Sequence, residues 1–142
     1  MPTRLDATDD LLDGRSIAAR EASTLSADVV DVAGCPVVVR ATGEVDGRSA
    51  PVLAAALRTG CAAAGPPRPL VVDLTGLRFF SAAGVNLLVA ARRRCDARQV
   101  PLLLVATHRA VLRSLRAAGV GALFDVRPSL TEAITSVGNT AP

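Results

Sequence analysis

Tryptophan, tyrosine and lysine are absent from these 142 residues, and only three phenylalanines and one histidine occur. With so few rings, stacking platforms for single-stranded nucleic acid or for flat cofactors are excluded. A Ser-His-Asp or Cys-His hydrolase would have to use His108, and metal sites built on several histidines are impossible. A phosphate-binding loop of the Walker type ends in a lysine, so that motif is impossible too. No apolar run approaches the roughly 18 residues of a membrane span. The first ten residues lack the basic end and apolar stretch of a secretory signal, so a cytosolic protein is expected. Three scattered cysteines, Cys35, Cys61 and Cys95, supply neither a disulfide framework nor a zinc knuckle.

What is present suits one globular domain. Half of the residues are hydrophobic and a fifth are charged. All 16 basic residues are arginine, which with the alanine-rich text points to a GC-rich bacterial genome. Charge is unevenly spread. Residues 1–34 hold seven acidic side chains against three arginines, and the remainder holds six against thirteen. Residues 1–26 show no sustained period and few large apolar residues, so they read as a disordered acidic extension. The domain is expected over 27–138, followed by a frayed tail at 139–142.

Val29–Val32 and Val37–Gly43 read as strands of an opening hairpin around the Gly34-Cys35-Pro36 turn. A loop at 43–48 precedes a helix over 50–63, with Ser49 at its N-cap and Pro51 in its first turn. The apolar run Leu70–Leu74 marks a central strand, and residues 75–80 lead from it as a loop. A helix over 82–98 has Gly84, Leu87, Leu88, Ala91 and Cys95 on one face. A buried strand follows at 100–106, then a helix at 108–118 capped by Thr107. An edge strand at 122–126 and a helix at 130–137 complete the order, the latter opened by the Ser129–Glu132 capping-box pattern. This is an α/β domain. Its mostly parallel, mixed sheet has about five strands, begins with a hairpin and is covered by about four helices. Sites in such folds favour loops beyond the carboxyl ends of the parallel strands, here 43–49, 75–82 and 106–109.

Three stretches carry a resemblance. The first is Asp73-Leu74-Thr75-Gly76-Leu77, continuing through Phe79-Phe80-Ser81-Ala82-Ala83-Gly84 into a leucine-containing helix. The second is Gly43-Glu44-Val45-Asp46, followed by Ala50-Pro51-Val52-Leu53. The third is Leu123-Phe124, followed by Pro128-Ser129-Leu130. In this order the chain resembles the STAS domain, the fold of bacterial anti-sigma factor antagonists, over about 27–137. The resemblance implies a partner switch in transcription regulation. An unphosphorylated antagonist binds an anti-sigma factor that is also a serine kinase and frees a sigma factor; phosphorylation at the start of the second helix ends the binding. A helix N-terminus can accommodate a phosphate, and roughly −1.5 to −2 of added charge can abolish a docked interface.

The sequence departs from the family where the switch should be. Aligning Gly84 on the family glycine puts Ala82 at the phosphoacceptor and Ser81 one residue early. Three readings follow: Ser81 is a displaced acceptor, the protein is permanently binding-competent, or another signal gates it. Ser81 is otherwise an N-cap. The expected partner face comprises Asp46, Thr75, Ser81, Ala82, Ala83, Gly84, Val85, Asn86 and Val89, with Val85, Asn86 and Val89 away from the apolar helix face. Asp46 alternatively caps a turn with Gly47, and Asp73 accepts hydrogen bonds from nearby loop N–H groups. Arg92, Arg93 and Arg94 read as a solvated helix end, and no nucleic-acid partner is expected.

Cys95 reads as inert core, and Cys35 or Cys61 as a candidate redox thiol. His108 is expected to be exposed. The preferred function is a non-enzymatic binding protein with no cofactor, metal or catalytic residue. Its partner is an anti-sigma factor of the serine-kinase, ATPase type, and a homodimer stays open. One alternative is an adaptor subunit of a lipid-transport ATPase or stress-sensor complex, since fold does not fix function. A second is a nucleotide-binding protein.

Overall fold

The structure is a computed structural model that describes residues 25–140. The expectation of a disordered leader therefore lies, for residues 1–24, outside the described residues. Strand β1 (Leu25–Val30) begins two residues ahead of the expected domain boundary, and four residues ahead of the strand expected at Val29–Val32, ending two residues before it. It is followed by β2 (Val37–Val45), helix α1 (Ala50–Ala63), β3 (Leu70–Phe80), α2 (Ala82–Ala97) and β4 (Leu102–Val105). Helix α3 (Arg109–Ala117), a 3-10 turn (Gly121–Leu123), β5 (Asp125–Arg127) and α4 (Leu130–Thr140) complete the chain.

The five strands lie side by side in sequence order. β1 is antiparallel to β2, and β2, β3, β4 and β5 are mutually parallel. Side chains alternate across a strand, and the core divides accordingly. Val37, Val39, Leu70, Val72, Leu74, Leu102 and Leu104 join one buried cluster with Leu53 and Leu57 of α1, Leu88 of α2 and Leu115 of α3. Val38, Val71, Leu103 and Val105 point the other way, onto Ala133 and Leu130 of α4. Three helices thus cover one face and α4 covers the other. Arg40 and Asp73 continue the α4 face, where Arg40 Nε lies 3.4 Å from Asp73 Oδ2.

Strand β2 runs two residues past Gly43, and α4 continues beyond 137 to Thr140, into the tail expected to fray at 139–142. Other boundaries differ as well. Residues 75–80 extend β3 rather than forming a loop, because they keep pairing with Thr42–Val45 beyond two register shifts. The strand expected over 100–106 is confined to Leu102–Val105, with Pro101 just ahead of it. Helix α3 is capped by His108 rather than Thr107: the exposed imidazole Nδ1 accepts from the Ala110 N–H at 3.0 Å. The expected strand at 122–126 is split, because the Phe124 and Leu123 N–H groups close the 3-10 turn onto Gly121 and Val120. Ser129 caps α4 as its sequence pattern requires, its hydroxyl accepting from the Glu132 N–H at 3.1 Å.

Close approach of α1 to the sheet depends on Gly60. A Cβ there would lie 2.5 Å from Val39 Cγ2 and 3.1 Å from Leu70 Cδ1. Val39 is fully buried and β-branched, so it has little freedom to yield. In an exposed helix, Gly→Ala would gain about 1 kcal/mol of propensity. Here overpacking outweighs that gain, and Gly60→Ala is expected to lose about 1–3 kcal/mol net in urea unfolding. A variant as stable as the parent would show that α1 can lift from the sheet without cost.

Candidate functional site

The carboxyl ends of β2 and β3 finish together. Val45 is paired with Phe80, and the Ser81 N–H donates to the Val45 carbonyl at 2.9 Å. The 46–49 loop and the start of α2 therefore leave the sheet side by side, at about one strand spacing.

Asp46 organises its own loop. Its Oδ1 accepts from the Arg48 N–H at 2.9 Å, the Ser49 N–H at 2.9 Å and the Ser49 hydroxyl at 3.2 Å. The Ser49 hydroxyl reaches the Glu44 carbonyl at 2.8 Å and accepts from the Asp46 N–H at 3.0 Å. Ser49 thus occupies the N-cap position of α1, but its buried side chain folds back into the loop instead of capping the helix. The Ser49 backbone N–H is the leading cause that holds the Asp46 carboxyl below its ordinary pKa.

At the neighbouring helix, Ser81 takes the extended N-cap conformation, and its carbonyl accepts from the Gly84 and Val85 N–H groups. Its hydroxyl does not cap the helix. Ser81 Oγ is shielded from solvent and has no hydrogen-bond partner among the described residues. The exposed residue at the first position of α2 is Ala82. Gly84 lies against the buried Phe80 ring: a Cβ there would be 2.6 Å from Phe80 Cε1 and 2.8 Å from Cζ. The glycine lets the first turn of α2 sit directly on the end of β3. The Phe80 carbonyl in turn accepts from the Ser114 hydroxyl of α3 at 2.5 Å.

Asp46, Ser81, Ala82, Ala83 and Gly84 are brought together, with Asn86 exposed on the same helix. Three expected partner residues are not. Val85 is 3% exposed and belongs to the core, and Val89 packs partly buried against it. The apolar face of α2 is wider than the leucine spacing suggests, and both valines fall within it. Thr75 is exposed, but lies six residues back along β3, about 20 Å in extended chain. Its hydroxyl and N–H both donate to Asp73 Oδ1, at 2.7 and 3.0 Å. Asp73 is therefore a buried acceptor of local donors, as expected, and Thr75 is its partner on the α4 face.

Sequence reasoning missed Phe79. It is 48% exposed beside Ser81 and pairs in register with Glu44. Strand alternation at Phe79-Phe80 would have exposed one ring and buried the other, had 75–80 been read as strand. Val52, exposed in the first turn of α1, adds a second apolar residue following the Asp46 loop. Among the described residues no group of three or more His, Cys, Asp or Glu is placed to hold a metal, and no helix is long and apolar enough to cross a membrane.

Cys35 is exposed in the β1–β2 turn. Cys61 and Cys95 are both buried, with their Sγ atoms 3.6 Å apart across the α1–α2 contact.

A five-stranded sheet in sequence order, an antiparallel first strand and a helix starting at the central strand's tip match a known domain. Residues 26–133 fit the STAS domain model. The chain belongs to the STAS domain family. It is 34% identical over 100 residues to the anti-sigma-F factor antagonist RsfA of Mycobacterium tuberculosis, covering 70% of this chain and 78% of the relative. The crystal structure of an anti-sigma factor antagonist from Mycobacterium paratuberculosis superposes with a TM-score of 0.71 at 29% identity, covering 80% of this STAS chain and 94% of that one. The unphosphorylated form of the anti-sigma factor antagonist SpoIIAA gives a TM-score of 0.66 at 21% identity, a likeness of fold, covering 82% and 100% of the two chains.

The Asp46 geometry fixes a pH signature for this STAS chain. A carboxyl whose folded pKa lies below its unfolded value stabilises the fold above the unfolded value and loses that effect as pH falls through the folded one. Asp46→Asn keeps the shape and one acceptor oxygen but removes the charge. Thermal unfolding is expected to show the variant less stable at neutral pH, with the gap closing in acid below the carboxylate range. A gap independent of pH would assign the loop's stability to shape alone.

Proposed function

We propose that this STAS protein is an anti-sigma factor antagonist held permanently in its binding-competent form. One observation carries the choice among the three readings of the switch. The exposed residue that opens α2 is Ala82, which has no hydroxyl, while the Ser81 hydroxyl is turned out of solvent. A kinase must reach an oxygen in solvent. Placing a phosphate of roughly −1.5 to −2 charge on Ser81 Oγ in this conformation would bury it where the hydroxyl itself has no hydrogen-bond partner among the described residues.

The partner is an anti-sigma factor of the serine-kinase, ATPase type. The antagonist acts in the cytoplasm by binding alone and performs no catalysis of its own. Its docking face is built from the Asp46 loop, Phe79, Ala82 and Asn86, with Val52 at the rim. A half-exposed phenylalanine whose cross-strand neighbour is Glu44 suits an interface anchor. The loop and helix are fixed by the β2–β3 pairing and the Phe80–Gly84 contact, so the face is presented already formed.

The test is capture of partners by the tagged protein from its own host, followed by incubation of the captured complex with ATP and mass spectrometry of the bait. The expected result is an anti-sigma factor kinase in the eluate, no phosphate on the parent chain, and phosphate on residue 82 of the Ala82→Ser variant. Phosphate on Ser81 would overturn the constitutive reading. A transport ATPase or a sensor assembly in place of the kinase would overturn the partner.

A further inference from the structure

Two buried thiols face each other where α1 crosses α2, far from the docking face. Cys61 lies two residues from the end of α1 and Cys95 two residues from the end of α2. They are 2% and 1% exposed, and 3.6 Å separates their sulfur atoms. Thirty-four residues of chain separate them, so their meeting is a product of the tertiary fold. We propose that Cys61 and Cys95 form a redox switch, in which a two-electron oxidation joins them in a disulfide that pins α1 to α2 and a dithiol releases it.

The geometry requires little. A disulfide has its sulfurs about 2.05 Å apart, so the pair must close by about 1.5 Å. Pressed against Val39, the backbone of α1 at Gly60 is fixed, and the approach falls to the cysteine side chains and the last turns of α2. Both thiols sit in the final turns of their helices, the part that opens most readily and admits a small oxidant.

The surroundings differentiate the two sulfurs. The Arg98 guanidinium donates to the Cys61 carbonyl, and Arg94 stands beside the Cys61 sulfur. The hydrogen bond shared by the two sulfurs, together with these two cations, draws the Cys61 pKa down, while Cys95 is pushed up. Cys61 is therefore the nucleophile and Cys95 the resolving thiol. With a peroxide as oxidant, the Cys61 thiolate attacks one oxygen, the O–O bond breaks, and Cys61 sulfenic acid and hydroxide form. Hydroxide takes up the proton that Cys61 had released. The Cys95 sulfur then attacks Cys61 Sγ, the S–O bond breaks, and the departing hydroxyl leaves as water with the Cys95 proton. Two thiols and one peroxide give one disulfide and two waters. Exchange with a dithiol restores both thiols and leaves the dithiol as its own cyclic disulfide.

The cross-link has a structural reading. The two helices it joins at their C-terminal ends begin at the Asp46–Ser49 loop and at Ser81. Pinning those far ends restricts the motion of α2 relative to α1, so the oxidation state reaches the docking face through a rigid helix. This holds whatever partner the face takes.

The test uses the Cys35→Ser variant, which removes the exposed turn thiol and leaves the pair. The folded protein is treated with hydrogen peroxide, unfolded, alkylated and mapped without reduction. Amide exchange is measured on the oxidised and reduced forms in parallel. The expected result is a monomer that loses both alkylatable thiols and two hydrogens of mass, with a linked peptide containing Cys61 and Cys95. Dithiothreitol should reverse it, and exchange should slow over residues 82–86 in the oxidised form. Two free thiols after treatment, or sulfinic acid in place of the cross-link, would overturn the proposal. So would a cross-link that leaves exchange at 82–86 unchanged. Cys61→Ala and Cys95→Ala are each expected to abolish the linked peptide.

Discussion

The parallel pairing of β2 with β3, carried to the last residue of both strands, is the constraint on which the rest of the site depends. Because Val45 and Phe80 end in register, the Ser81 N–H can reach the Val45 carbonyl, and loop and helix leave the sheet at one point. Had β3 stopped at Leu74, where its apolar run ends, α2 would begin at the end of a free loop. Its N-terminus would then have no fixed relation to Asp46. The extension converts two unrelated sequence motifs into one surface. Its cost is two register shifts, one between Arg40 and Thr42 and one between Gly43 and Glu44. The donors of Thr75 at the first shift are taken up by Asp73, so its carboxylate serves the strand and not the site.

Much of the fold was legible because its signals are local or periodic. The apolar runs at 70–74 and 102–105 read as buried strands, and the structure buries them so. The limits of α1 are legible in Pro51 and the Gly65-Pro66-Pro67 stop. What escaped depends on partners distant in sequence. Thr75-Gly76 is turn chemistry by composition, and only β2 across the ladder makes it strand. Thr107 is a better intrinsic cap than histidine, but the chain turns one residue later, where the His108 ring reaches the Ala110 N–H.

The site divides along the same line. Asp46, Ser81 and Gly84 were legible because loop acids, N-caps and small residues at a helix start have few other uses. The outward placing of Val85 and Val89 failed because a leucine-only reading of α2 narrows its buried face. The helix packs against α1 on one side and the sheet on another, so small and β-branched residues are buried beside the leucines. Phe79 was invisible for a third reason. Its exposure follows from strand alternation, a rule that applies only once 75–80 is known to be strand.

A charge-based switch at a helix N-terminus needs an acceptor oxygen in solvent and room for a dianion to stay hydrated or be paired. Here the Ser81 hydroxyl points inward and the exposed first position of the helix carries a methyl group. In the loop beside it, which also carries Arg48, the Asp46 carboxylate is committed to backbone donors, and Glu44 at the end of β2 faces Arg78. On the proposed constitutive reading, control of this surface would act on the rigid body behind it. The 16-residue helix that opens at Ala82 carries, two residues before its end, a buried thiol facing another helix. Displacement at one end of such an element is transmitted to the other because a packed core does not deform continuously.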